Sequence, residues 1–195
     1  EDCFDRCIEY MKRNDDVGAL GCRLIDGKGI FLPESKRGFP SAQVAFFKII
    51  GLSALFKKSK LFNRYHLGYL PEFETHEVDV LVGCFMICRR EVIDKVGGFD
   101  EDYFMYGEDI DLSYKIKSAG FKNIYFPETT VIHYKGESTK KGSLNYVKMF
   151  YQAMIIFAGK HFKSSKKGLF IFLIRMAIYL RALIAFFGRI FSIIQ

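Results

Sequence analysis

Phe104-Met105-Tyr106-Gly107-Glu108-Asp109-Ile110-Asp111-Leu112 sets three carboxylates within four positions, where a glycine turn meets a helix. Carboxylates gathered at such a point can carry acid–base or metal chemistry. Upstream lies Gly97-Gly98-Phe99-Asp100-Glu101, and downstream come Ala119-Gly120-Phe121, Pro127-Glu128 and His133. Leu112, Ile116 and Ala119 recur at helical spacing and mark the buried side of this helix, which Gly120 ends as a C-cap. Asp109 falls close to the inward side; Asp111 lies further round. Plain N-capping would also favour acidic residues in a first turn.

Outward from this helix, apolar periodicity predicts alternating elements. Phe4, Ile8 and Met11 predict a helix over residues 1–13, followed by a strand over 17–25 and a turn at Gly27 and Gly29. A loop over 33–40 leads to two short helices, 42–50 and 53–61, broken at Gly51. Residues 63–77 read as a polar and aromatic loop. The apolar run 78–88, with Val78, Val80, Val82 and Ile87, predicts one long strand. A short helix over 91–96 ends at Gly97-Gly98. Two short strands, 123–126 and 130–134, flank Pro127, and a longer helix covers 144–162. Strands alternating with helices predict an α/β layered domain over 1–162.

The 195 residues are half apolar, enough for one domain with a real core. A net charge of +7 suits nucleic acid, anionic lipid or phosphate-bearing substrates. No nucleic-acid-binding module is present in the sequence, and the long apolar C-terminal segment makes a membrane surface the expected partner. Cys3, Cys7, Cys22, Cys84 and Cys88 are an odd count, against a complete disulfide framework. The pairs Cys3/Cys7 and Cys84/Cys88 lie away from the knuckle turns of zinc ribbons and read as buried, reduced thiols.

Residues 163–195 read as a basic linker and an amphipathic helix. Arg175 and Arg181 interrupt the apolar stretch before it reaches the roughly 18 residues of a spanning helix. Arg175, Arg181 and Arg189 share one narrow face, which suits a helix lying in the membrane interface. Packing on the domain or on a second subunit is the alternative.

Read together, the segment from Gly97 to Ser138 resembles the C-terminal half of a family 2 glycosyltransferase of the GT-A fold. The resemblance points to the bacterial rhamnosyltransferase-like branch that builds surface polysaccharides, and extends more loosely over residues 1–162. It implies a partial GT-A (nucleotide-diphospho-sugar transferase) fold without its N-terminal nucleotide-binding half, so the chain is expected to be inactive alone. The resemblance makes Asp109 the general base that deprotonates the acceptor hydroxyl. Glu108 would orient the acceptor or support the metal site. Gly83, Asp100, Glu101, Tyr106 and Gly107 are the expected acceptor contacts, and Gly83 would let a ligand approach the backbone. Lys135, Gly136 and Ser138 would hold a phosphate of the donor or of a lipid carrier. His133 would help to bind a divalent cation, Mn2+ or Mg2+, whose main D-x-D ligand motif is missing from this chain.

The implied partners are a nucleotide-sugar donor and a lipid-linked saccharide acceptor, with homo-oligomerisation left open. The implied location is peripheral, on the cytoplasmic face of the bacterial inner membrane. A non-catalytic membrane-associated module and a carboxylate–histidine metal hydrolase using Glu108, Asp109 and His133 are the alternatives.

Overall fold

The computed structural model of the chain describes residues 2–41, 43, 44, 47, 51–134, 144–162, 168–176 and 179. Helix α1 (Cys3–Arg13) leads into β1 (Val17–Ile25), which is buried along most of its length. A short 3-10 turn (Pro33–Ser35) and α2 (Leu52–Leu55) punctuate the connection to β2 (His76–Val78). Then follow β3 (Ile87–Cys88), α3 (Arg90–Val96), α4 (Glu108–Ser118), β4 (Lys122–Ile132) and α5 (Leu144–His161).

β1 and β4 pair in parallel at the centre of a mixed sheet whose order is β2-β4-β1-β3. The two outer strands are antiparallel to their neighbours. Parallel strands need cover on both faces, which is why β1 is apolar and buried from Val17 to Cys22. On one face α1 packs Cys7 and Met11 against Leu20, Cys22, Ile124 and Phe126. On the other, Val92 of α3 and Leu112 and Ile116 of α4 pack with Ala19, Val78, Leu81 and Tyr125. Gly18 permits that close approach: a Cβ there would lie 2.7 Å from both Ile116 Cγ2 and Phe121 Cβ. α5 covers the far side of α4, placing Ala153 and Phe157 against Tyr103, Ile110 and Val80.

The α/β expectation holds, with corrections inside it. The run 78–88 is not one strand. β2 and β3 occupy opposite outer edges of the sheet, so the residues between them must travel from one edge to the other. Val80 and Leu81 are apolar because they pass beneath α5 and α4, where both are fully buried. The expected strands around Pro127 are one strand with a register shift: Cys22 faces Phe126, and the next residue, Arg23, faces Thr130. Proline has no N–H for the ladder, so the chain bulges there. The helix predicted over 53–61 stops at Leu55 and gives way to turns.

Of the C-terminal segment, residues 168–176 are helical. Phe170 and Ile174 pack on Ala158, while Leu169, Phe172, Met176 and Tyr179 are exposed. Arg181 and Arg189 lie outside the described residues, as do most of the helix expected over 42–50 and all of Lys135, Gly136 and Ser138. Among the described residues no helix is long and apolar enough to cross a membrane.

Ile116 sits fully buried at the contact between α4 and the sheet. Ile116→Ala is expected to lower unfolding free energy by about 2–5 kcal/mol, through lost transfer energy and a cavity. Urea denaturation followed by circular dichroism measures it.

Candidate active site

The segment crossing between the sheet edges has few strand partners, and buried backbone groups must be paired somewhere. Val80 makes an isolated antiparallel bridge with Arg37. Beyond it, side chains supply what a strand would. The Leu81 N–H donates to Ser113 Oγ (3.2 Å) and the Gly83 N–H to Asp109 Oδ2 (3.2 Å). Asp109 and Ser113 lie one turn apart on α4, so they meet alternate residues of the crossing segment. Arg37 Nη2 donates both to the Leu81 carbonyl (2.9 Å) and to Asp109 Oδ2 (2.5 Å).

Asp109 is therefore inward and held, as its place on the helix predicts, and it is half of a buried ion pair. Burial by itself lowers the Arg37 pKa, but the neighbouring Asp109 and Tyr65 raise it overall, so the guanidinium stays charged. Arg37 carries no sequence signal: it stands in a loop, 72 residues from its partner. Gly107 opens α4 with φ 92°, and a Cβ there would meet Tyr103 Cδ1 at 3.0 Å and Ala153 Cβ at 3.1 Å. Backbone conformation and packing both demand glycine.

Beside Asp109 opens a cleft of about 430 Å³ lined by Gly83, Asp100, Glu101 and Glu108, with Phe99, Tyr103, Phe104 and Met105. Four of the expected site residues thus converge. Tyr106 packs instead on the cluster beneath α5, and Gly107 caps the helix. Phe99 and Phe104 are largely exposed and form an apolar lip. Two cleft carboxylates are driven apart electrostatically. Burial is the main cause that raises the Glu108 pKa above the usual range; the Asp109 charge adds to it, while Glu108's own backbone N–H and Arg37 oppose. Glu108 Oε2 is buried and has no hydrogen-bond partner among the described residues. Asp100, by contrast, is held below the usual range, chiefly by the Lys160 ammonium 2.5 Å away.

Asp111 corrects the helical-wheel reading. It is 1% exposed, more deeply buried than Asp109 at 9%. A single buried stripe presumes a helix covered on one side, whereas α5 covers α4 on the other. Asp111 Oδ1 accepts from His161 Nε2 (2.6 Å) and Tyr103 Oη (3.3 Å), and Lys115 Nζ lies 3.1 Å from Oδ2. Both His161 and Lys160 come from the last turn of α5, so that turn is latched onto the cleft.

His133 follows the end of β4, where its N–H donates to the Ile25 carbonyl (2.8 Å), and it does not line the cleft. Among the described residues no carboxylate–histidine group of three converges as a hard, oxygen-rich site for Mn2+ or Mg2+ would require. These residues therefore do not by themselves fit the implied cation.

Residues 62–147 match the family described as glycosyltransferase like family 2, and the relatives that follow support a bacterial rhamnosyltransferase-like member of that family. The mixed α/β sheet is consistent with a GT-A-like fold. An N-acetylglucosaminyl-diphospho-decaprenol L-rhamnosyltransferase of Mycobacterium tuberculosis is 31% identical over 159 residues, 81% of this chain and 51% of that protein. Rhamnosyltransferase WbbL of Escherichia coli K12 is 46% identical over 57 residues, 29% of this chain and 22% of that protein. O-antigen biosynthesis protein RfbC of Myxococcus xanthus is 29% identical over 148 residues, 72% of this chain and 10% of that protein. This chain spans about half the length of the mycobacterial relative.

Removing one partner of the Arg37–Asp109 pair strands a buried charge. Asp109→Asn is expected to cost about 3–5 kcal/mol of stability, and Arg37→Met combined with Asp109→Asn less than the sum of the single changes. A double-mutant cycle by denaturant unfolding reads the coupling.

A carboxyl whose pKa rises on folding binds more protons folded than unfolded, so stability falls as pH climbs through that interval. Glu108→Gln is accordingly expected to raise the melting temperature at pH 7, with the gain shrinking towards acid. Melting curves at several pH values test the sign.

Proposed function

We propose that this chain builds the acceptor side of a glycosyltransferase that passes a sugar from a nucleotide-sugar donor to a lipid-linked saccharide during cell-surface polysaccharide synthesis. The observation that carries this reading is the cleft-facing Glu108 beside the buried, Arg37-held Asp109. The names of the relatives support it, as does the make-up of the cleft. Sugars present C–H faces that pack on aromatic rings such as Phe99 and Phe104. Their hydroxyls donate to carboxylates such as Asp100, Glu101 and Glu108.

In this reading Asp109 removes the proton from the acceptor hydroxyl as the sugar is transferred, and Arg37 with the Gly83 N–H fixes its Oδ2. Glu108 orients the acceptor. A second reading exchanges the roles, because Glu108 faces the cleft, has an Oε2 without a hydrogen-bond partner among the described residues and is the more basic for being buried. The donor half of a GT-A domain, with its D-x-D motif and divalent cation, would be supplied from outside this chain; charge neutralisation of the leaving diphosphate belongs there. Residues 1–162 then form the C-terminal part of the catalytic domain, with 163–195 as a basic linker and interface helix. The exposed stripe Leu169, Phe172, Met176 and Tyr179, at i, i+3, i+7 and i+10, supports peripheral attachment to the cytoplasmic face of a bacterial inner membrane.

The test uses the complete enzyme with a panel of nucleotide sugars that includes an activated rhamnose. Asp109→Asn should lower kcat by about 10²- to 10⁴-fold, while Glu108→Gln should mainly raise KM for the acceptor. If Glu108→Gln instead abolishes the acidic limb of the pH–rate profile, the base is Glu108. Wild-type turnover in both variants overturns the assignment of this cleft.

A further inference from the structure

Three sulfur atoms meet on the face of the sheet opposite the cleft. Cys3 and Cys7 stand one turn apart on α1, so both point to the same side. The third comes from β1: Cys22 Sγ lies 3.5 Å from Cys7 Sγ and 3.9 Å from Cys3 Sγ, and all three sulfurs fall within 4.8 Å of one another. Cys84 is exposed and takes no part, so the grouping is not the pair-with-pair arrangement that sequence spacing brings to mind.

A tetrahedral zinc ion holds its thiolates at about 2.3 Å, which places sulfurs roughly 3.8 Å apart. The two Sγ separations from Cys22, 3.5 and 3.9 Å, bracket that edge. We propose that Cys3, Cys7 and Cys22 form a three-thiolate site for Zn2+. Cys7 and Cys22 are shielded by Met11, Leu20, Ile124 and Phe126, which keep the inner side dry. Cys3, the first residue of α1, is only half-buried; it provides the way in and leaves a fourth position for water. Each thiol gives up its proton as its bond to zinc forms, so affinity rises with pH. Bound zinc ties α1 to β1, and through β1 to the centre of the sheet.

The full chain, kept reduced with a phosphine, is titrated with Co2+ as the spectroscopic stand-in and then with Zn2+. One equivalent should develop thiolate-to-cobalt charge-transfer absorption, which Zn2+ abolishes by displacement, and Zn2+ should raise the melting temperature. Cys22→Ser should lose the band, whereas Cys84→Ser should keep it. Should Cys22→Ser fail to fold, Cys3→Ser, at the half-exposed end of α1, decides: weakening by more than roughly tenfold supports the site. No charge-transfer band in the wild type, or an undiminished one in Cys3→Ser, overturns it.

Discussion

A strip of chain that must cross from one edge of a sheet to the other cannot satisfy its backbone by strand pairing alone. Here the strip is 79–83, and its hydrogen bonds come from a loop arginine, from Asn123 of β4 and from two side chains one turn apart on α4. A single nitrogen of Arg37, Nη2, serves a carbonyl and a carboxylate at once through its two N–H groups. Remove that arrangement, and both the crossing and the N-terminal turn of α4 lose their anchor. The cleft depends on it because Gly83 and Glu108 are neighbours of the anchored residues.

The same arrangement divides labour between adjacent carboxylates. Asp109 is paired with a fixed cation, the Arg37 guanidinium. Glu108 has no such partner and is the group that a low-dielectric wall makes reluctant to ionise. Asp100, across the cleft, is neutralised by Lys160. Three acids in and beside one cavity thus have three different electrostatic fates, set by what stands behind each rather than by residue type.

Much of the fold is legible in the sequence because its helices are amphipathic and its central strand is unbroken. The positions of α1, β1, α3, α4 and α5 follow nearly as they stand, since periodicity and glycine stops are local signals. What escapes such a reading is non-local. An apolar run such as 78–88 looks the same in a strand and in a buried crossing, and only the strand order tells them apart. Asp111 looks peripheral because one helical wheel cannot know that a second helix, 144–161, covers the opposite side. In the cleft, Gly83, Asp100, Glu101 and Glu108 are found through the motif that contains or faces them. Arg37 and His161 are not, because a partner 72 or 50 residues away leaves no local trace. The convergence of Cys22 on Cys3 and Cys7 is hidden for the same reason.

The last turn of α5 grips the cleft through Lys160 on Asp100 and Asp102, and through His161 on Asp111. Only residues 163–167 separate that grip from the helical stretch with the outward apolar stripe. So short a tether acts as a gauge. Whatever surface captures the stripe also fixes how high the cleft stands above it.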